Sequence, residues 1–330
     1  MSTDAPHVER RREDENDALI PVKRSPEYWF DDGNIILQVE STQFRVMKSV
    51  LAMHSAVFAD MFKIPTPVNE TLVDGCPVVV LVGDTAQDWL YLFSEIFPKR
   101  FLRGEKSTIS RLAALLRLGK KYDFTQFRQD CLAQLKEEFP TTLENFDKTM
   151  GWTMGWKYIE ADSATKEETL VSVINLAREL GLYSILPAAF YSVNSLTEAS
   201  KQLSISDRLA RAEGHLRLLR LKELTVEKWL CLSSADDEPL LPCGDCVDLD
   251  ACTTALHKAA YNEMLASSSE AHDKDAVLNF WDEASEDGFC APCVEEARAS
   301  FGEGRVECWN QLPAIFGLPN WDELRKMDFE

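Results

Sequence analysis

Residues 31–62 read DDGNIILQVESTQFRVMKSVLAMHSAVFADMF, and the hydrophobic period changes partway along them. After the turn residues Asp31-Asp32-Gly33, the positions Ile35, Leu37 and Val39 alternate with Ile36 and Gln38, which is strand spacing. Phe44 and Val46 repeat the period of two beyond a short polar hairpin at Ser41. From Lys48 to Phe62 the spacing becomes helical, with Val50, Leu51, Val57, Phe58, Met61 and Phe62 forming one apolar stripe that Pro65 and Pro67 stop. Working outward, residues 77–82 are a β-branched run ended by Gly83-Asp84, which predicts a buried strand. Trp89, Leu90, Leu92, Phe93, Ile96 and Phe97 follow at helical spacing. Two further helices are marked by Leu112, Leu115, Leu116 and Tyr122, and by Phe127, Cys131, Leu132 and Leu135, the second ending near Pro140. Residues 25–139 therefore predict strands first and helices after, an α+β unit of ordinary domain size.

On either side the character differs. Residues 1–24 mix charges of both signs without a sustained period, so they are expected to form a flexible arm. From Thr141 the pattern is nearly all helical. Asp162 or Ser163 is predicted to cap a helix whose apolar face is Leu170, Val173, Ile174, Ala177 and Leu180, with Gly181 as its stop. Leu203 to Leu232 supplies one or two more helices, giving an expected helical extension over 140–232. Residues 233–330 form an acidic, Cys-rich region broken by Pro and Gly.

Charge narrows the function classes. The 330 residues hold 35 Lys and Arg against 55 Asp and Glu, a net of −20, and residues 233–330 alone hold 22 acids against 6 bases, a net of −16. Phosphate backbones and anionic lipid surfaces are bound through clustered Lys and Arg, so nucleic acid and membrane are disfavoured as partners and other proteins are favoured. The first twenty residues lack the apolar core of a signal peptide, and no stretch approaches the roughly 18 apolar residues of a membrane span. The expected location is intracellular, in cytoplasm or nucleus. Nine cysteines in a reducing compartment read as metal ligands or buried thiols rather than as disulfides.

Two CxxC pairs, Cys243/Cys246 and Cys290/Cys293, are separated by 43 residues. Two intervening residues let one turn present both sulfurs to the same ion, so the four thiolates could close one structural zinc site; the other reading is a set of buried free thiols. Cys252, His257 and Cys308 are the substitute ligands if one pair fails. His54 and Ser55 are adjacent on a predicted helix, about 100° apart, and cannot form a base–nucleophile pair. The chain contains no G-x-S-x-G, H-E-x-x-H, phosphate-cradling glycine loop or G-x-G-x-x-G, so no enzyme activity is expected. Trp309, Leu312, Phe316, Leu318 and Trp321 either staple the end of the chain onto its helical body or form an exposed patch for a partner.

Asp32-Gly33-Asn34-Ile35, then Phe44, Leu51, Ser55, Phe58, Met61 and Phe62, resemble the first half of a BTB/POZ domain. Leu115-Leu116 to Lys121-Tyr122, with Cys131 and Leu135 behind them, are similar to the family's closing helical hairpin. The later segments 175–179 and 186–191, and the Trp309-to-Trp321 motif, are similar in style to fungal BTB proteins with a helical, Cys-rich extension. The resemblance implies a small sheet flanked by helices, followed by a mostly α-helical C-terminal region. It also implies protein–protein interaction: self-association or service as a substrate adaptor for a cullin-type ubiquitin ligase, the alternative being a transcriptional or chromatin co-regulator that does not touch DNA. Val68-Asn69-Glu70 resembles the hydrophobic-x-acidic element by which BTB adaptors meet cullin scaffolds, with Val68 in an apolar pocket, Glu70 at its rim and Phe62 on the same face. Its other reading is a Pro-bounded surface loop. Asp32 belongs either to turn chemistry or, by the resemblance, to a polar pocket in which Lys48 is its charge partner. The chain departs from the family at Met47, where His is usual before the basic residue, and in lacking an amphipathic N-terminal helix.

Overall fold

The computed structural model describes residues 21–65, 72–98, 106–150, 155–160, 165–193, 198–230, 239–268 and 277–328. Two compact units make up the chain: Met1–Lys99 with Lys121–Phe124, and Arg100–Lys120 with Thr125–Glu330.

In the first unit the elements run β1 (Lys23–Trp29), β2 (Ile35–Val39), β3 (Thr42–Val46), α1 (Lys48–His54), α2 (Ala56–Met61), β4 (Leu72–Val73), β5 (Cys76–Val80) and α3 (Ala86–Ile96). The five strands form one mixed sheet in the order β1-β3-β2-β5-β4. Ile35, Ile36, Leu37 and Val39 of β2 are all buried, as befits a central strand covered on both faces. β2 pairs antiparallel with β3, setting Leu37 opposite Phe44, and parallel with β5. The hairpin predicted at Ser41 is formed, with Glu40 at φ 50° in the left-handed region. β1 pairs parallel with β3 and begins at Lys23, whose N–H donates to Ser41 O at 2.7 Å, so ordered structure starts inside the segment expected to be a free arm to residue 24.

The single helix predicted over 48–62 is two. Ser55 is extended (φ −135°, ψ 120°), and its Oγ accepts the Phe58 N–H at 3.1 Å, capping α2, while donating to the Tyr122 carbonyl. Breaking the helix there turns Phe58 into an aromatic core with Trp89, Tyr122 and Phe124, ring centroids lying 5.2 to 6.1 Å from it. Asp84 closes this core from one side. Its carboxylate, 3% exposed, accepts from Trp89 Nε1 at 3.0 Å, Tyr122 Oη at 2.6 Å and Lys121 Nζ at 2.6 Å.

Beyond these come β6 (Ser107–Thr108), α4 (Ile109–Tyr122), α5 (Thr125–Glu138), α6 (Leu143–Met150), β7 (Ile159–Glu160), α7 (Lys166–Leu180), α8 (Leu186–Ser192), α9 (Ile205–Leu224), α10 (Leu249–Ser268), α11 (Ala291–Ile315) and α12 (Trp321–Met327). The predicted caps of α7, Asp162 and Ser163, lie outside the described residues. Thr165 caps it instead, in a reciprocal capping box with Glu168, and Gly181 ends it at φ 77° as expected. The acidic C-terminal region, broken by Pro and Gly in sequence, is built on two long helices of 20 and 25 residues.

Trp309, Leu312, Phe316 and Trp321 are buried and Leu318 is half-buried, which settles the last motif as a staple. Trp321 stacks on Trp309 at 5.1 Å and 12° and donates its indole N–H to the Trp309 carbonyl at 2.8 Å. The enclosed carboxylate of half-buried Asp328 accepts from Ser184 N at 2.9 Å, Ser184 Oγ at 2.5 Å and Lys136 Nζ at 2.8 Å, tying α12 to its own unit. Among the described residues, no helix is long and apolar enough to cross a membrane.

Candidate functional site

Two places carry the residues that the sequence singles out. The first is the α1–α2 segment. Phe62, the C-cap of α2, is half-buried against Phe58 at 5.8 Å, and the Lys48 ammonium lies over its ring at 5.6 Å. Met53, Val57 and Ile64 in the same segment are 72%, 43% and 69% exposed. That is an apolar, methionine-bearing surface, with Lys48 over Phe62 and an exposed Lys63–Asp60 ion pair at 2.9 Å beside it, of the kind that another protein can cover. Val68 and Glu70, expected on this face, lie outside the described residues.

The polar pocket expected from Asp32 and Lys48 is not formed. Asp32 is exposed in the turn that Asp31-Asp32 makes, the reading given by turn chemistry, and among the described residues no ion pair joins it to Lys48. Asn34 does the local work instead, its Oδ1 accepting the Lys48 backbone N–H at 2.8 Å where α1 begins. Arg45 fixes the turn through Gly33 O at 2.9 Å and Asp31 O at 2.8 Å.

The second place is a cluster of thiols. Cys243 and Cys246 stand on a turn closed by the Cys246 N–H to Cys243 O bond at 3.1 Å. Asp248 caps α10 by accepting the Ala251 N–H at 3.0 Å, and the first turn of that helix presents Cys252. Cys290 is the N-cap of α11, with Pro292 after it, and Cys293 follows on the first turn. The sulfurs of Cys246, Cys252, Cys290 and Cys293 all lie within 4.8 Å of one another, Cys246 and Cys290 at 3.8 Å. This corrects the expected set: Cys252 takes the place of Cys243 in the mutual group. Cys243 touches it from one side, its Sγ 3.6 Å from that of Cys293. Cys252, six residues beyond Cys246, is the first of the substitute ligands that the sequence offers if one CxxC pair fails.

The donor set fits a soft, tetrahedral ion. A Zn–S bond of about 2.3 Å implies sulfur–sulfur edges of about 3.8 Å, and four thiolates leave no open coordination position. Backbone N–H groups also favour the ionised form: those of Val247 and then Cys293 hold the Cys290 thiol down to about 6, whereas burial pushes the Cys252 and Cys293 thiols up. Cys290 N–H donates to Cys252 Sγ at 3.2 Å. Around the sulfurs pack Trp229, Leu241, Leu256 and Ala297, so the cluster sits in a small core of its own. Of the other candidate ligands, His257 is exposed on α10, and Cys308 is buried elsewhere, 3.1 Å from Thr225 Oγ1.

No curated protein matches the chain. Residues 30–138 match the family model of the BTB/POZ domain, and the curled five-stranded sheet with its flanking helices agrees with that match. Over residues 30–138, therefore, the chain carries a BTB/POZ domain.

Proposed function

We propose that the protein is an adaptor that binds other proteins by surface burial, with no chemistry of its own, and that its BTB/POZ domain docks a cullin-type scaffold through the α1–α2 face. The observation that carries this reading is the exposed Met53, Val57 and Ile64 beside half-buried Phe62 on a domain whose family binds proteins. Val57→Glu with Met53→Glu places two charges on exposed positions and leaves the core intact, so it is expected to abolish co-elution with the N-terminal domain of a cullin scaffold without moving the melting curve. A variant that still co-elutes removes the assignment of this face.

The second half of the reading is one structural zinc ion held by Cys246, Cys252, Cys290 and Cys293, supported by their mutual spacing. Its part is to organise the C-terminal region: the ion would join the 243–246 turn and the adjoining start of α10 to the start of α11, with 43 residues between Cys246 and Cys290. Metal analysis of protein purified without a histidine tag tests it, with near one zinc per chain expected and a value near zero against it.

A further inference from the structure

The thiol cluster holds one sulfur more than a tetrahedral ion can use. Cys246, Cys252, Cys290 and Cys293 form the mutually close group, and Cys243 stands beside it with its Sγ 3.6 Å from that of Cys293. Four thiolates complete the coordination shell, so Cys243 is a spare thiol in contact with a ligand. The contact is close enough for covalent chemistry: a disulfide of about 2.05 Å needs the two sulfurs to approach by roughly 1.5 Å.

Exposure separates the five. Cys252 and Cys293 are fully buried, and a solvent-borne oxidant does not reach them directly. Cys243 is half-buried on a turn whose next residues, Gly244 and Asp245, are exposed, and nothing lies within 4 Å of the Cβ position of Gly244. Cys246 and Cys290 are half-buried as well, 3.8 Å apart, but as ligands their sulfur lone pairs are engaged by the metal. Oxidation of thiols follows access and an available sulfur lone pair, and Cys243 alone in the cluster combines the two.

We infer that Cys243 makes the cluster a peroxide-responsive metal switch, in which a disulfide between Cys243 and Cys293 withdraws one of the four ligands. The inference rests on the zinc reading above and adds its regulation. Cys243 Sγ attacks one oxygen of a hydroperoxide, the O–O bond breaks, and the second oxygen leaves as water or alcohol with the thiol proton, so that Cys243 becomes a sulfenic acid. Cys293 Sγ then gives up its bond to the metal and attacks the Cys243 sulfur. The S–S bond forms, the S–O bond breaks, and the hydroxyl leaves as water with one proton taken from solvent. Two electrons have passed from the two sulfurs to the peroxide. Cys246, Cys252 and Cys290 remain, three thiolates with an open position, and their hold on zinc weakens. The core of Trp229, Leu241 and Leu256 packed around the sulfurs loses the tie between the starts of α10 and α11.

Hydrogen peroxide tests this on the full chain. Zinc is measured before oxidant, its release into a chromophoric chelator is followed after addition of about 0.5 mM peroxide, and the disulfide formed is mapped by mass spectrometry. The native chain should start with near one zinc, release it, and yield Cys243 joined to Cys293. Cys243→Ser should start with the same zinc content and melting curve and release the metal at least roughly tenfold more slowly. A native chain that keeps its zinc, release from Cys243→Ser at the native rate, or a disulfide that maps to Cys246 and Cys290 overturns the inference and leaves the zinc reading standing. A Cys243→Ser chain already without zinc before oxidant places Cys243 in the shell and also overturns it. Absence of zinc from the untreated native chain retires the zinc reading, and the switch with it.

Discussion

The Tyr122 hydroxyl reaches across the aromatic core of the first unit to donate to the Asp84 carboxylate at 2.6 Å. That oxygen also serves Trp89 Nε1, so one carboxylate satisfies two aromatic donors whose rings are otherwise packed among apolar neighbours. Asp84→Ala leaves both donors without their acceptor, and we predict a loss of about 2 to 4 kcal/mol in urea unfolding. Tyr122→Phe, which removes donor and demand together, should cost about 1 kcal/mol.

Burial, then the Asp84 hydrogen bond, pushes the Tyr122 phenol well above its usual value of 10.0. The folded chain therefore keeps a proton that the unfolded chain releases near pH 10, and the stability this contributes is present below pH 10 and falls as pH rises past it. Unfolding midpoints measured on either side of that pH should decline in the native protein and decline less in Tyr122→Phe.

The strands were legible because Ile35, Leu37 and Val39 hold a period of two that only a strand can bury, and the BTB/POZ pattern follows from the same stretch. The break at Ser55 was not, since Val50 and Leu51 before it and Val57, Phe58 and Met61 after it keep helical spacing; Ser55 is a local N-cap of α2, and its long-range bond to the Tyr122 carbonyl adds what the spacing does not encode. The thiol cluster was half legible. CxxC spacing singled out Cys246, Cys290 and Cys293 and left Cys252 as a substitute; its place among the four mutually close sulfurs follows from where Asp248 starts α10.

Zinc assignment separates Cys252 from Cys243. Cys252→Ser should drop bound zinc to a small fraction of one per chain and lower the melting temperature of the C-terminal transition, whereas Cys243→Ser should retain the ion. Equal metal content in the two variants would place Cys243 in the coordination shell.

Two glycines in one helix give opposed outcomes. At Gly304 of α11 a Cβ would meet the backbone of Thr225 and Val226 at 2.7 to 2.8 Å, and backbone cannot swing aside, so Gly304→Ala should destabilise by about 2 kcal/mol or more. At Gly302, where nothing lies within 4 Å, the same change should stabilise by roughly 0.5 to 1 kcal/mol through helix propensity alone. Thermal unfolding of the pair checks the close approach of α11 to the turn after α9.

Removing the Asp328 carboxylate tests how the chain end is held. Asp328→Ala strips Ser184 and Lys136 of a buried acceptor and should cost about 2 kcal/mol, with amide exchange accelerating in α12 before other helices.

The central claim, that the α1–α2 face of the BTB/POZ domain docks a cullin-type scaffold, is tested most directly by calorimetric titration of the intact protein with the N-terminal domain of such a scaffold. The account predicts saturable one-to-one binding at or below tens of micromolar, lost in the Met53→Glu, Val57→Glu double variant. The absence of heat and of co-elution at roughly 50 µM of both components would contradict it.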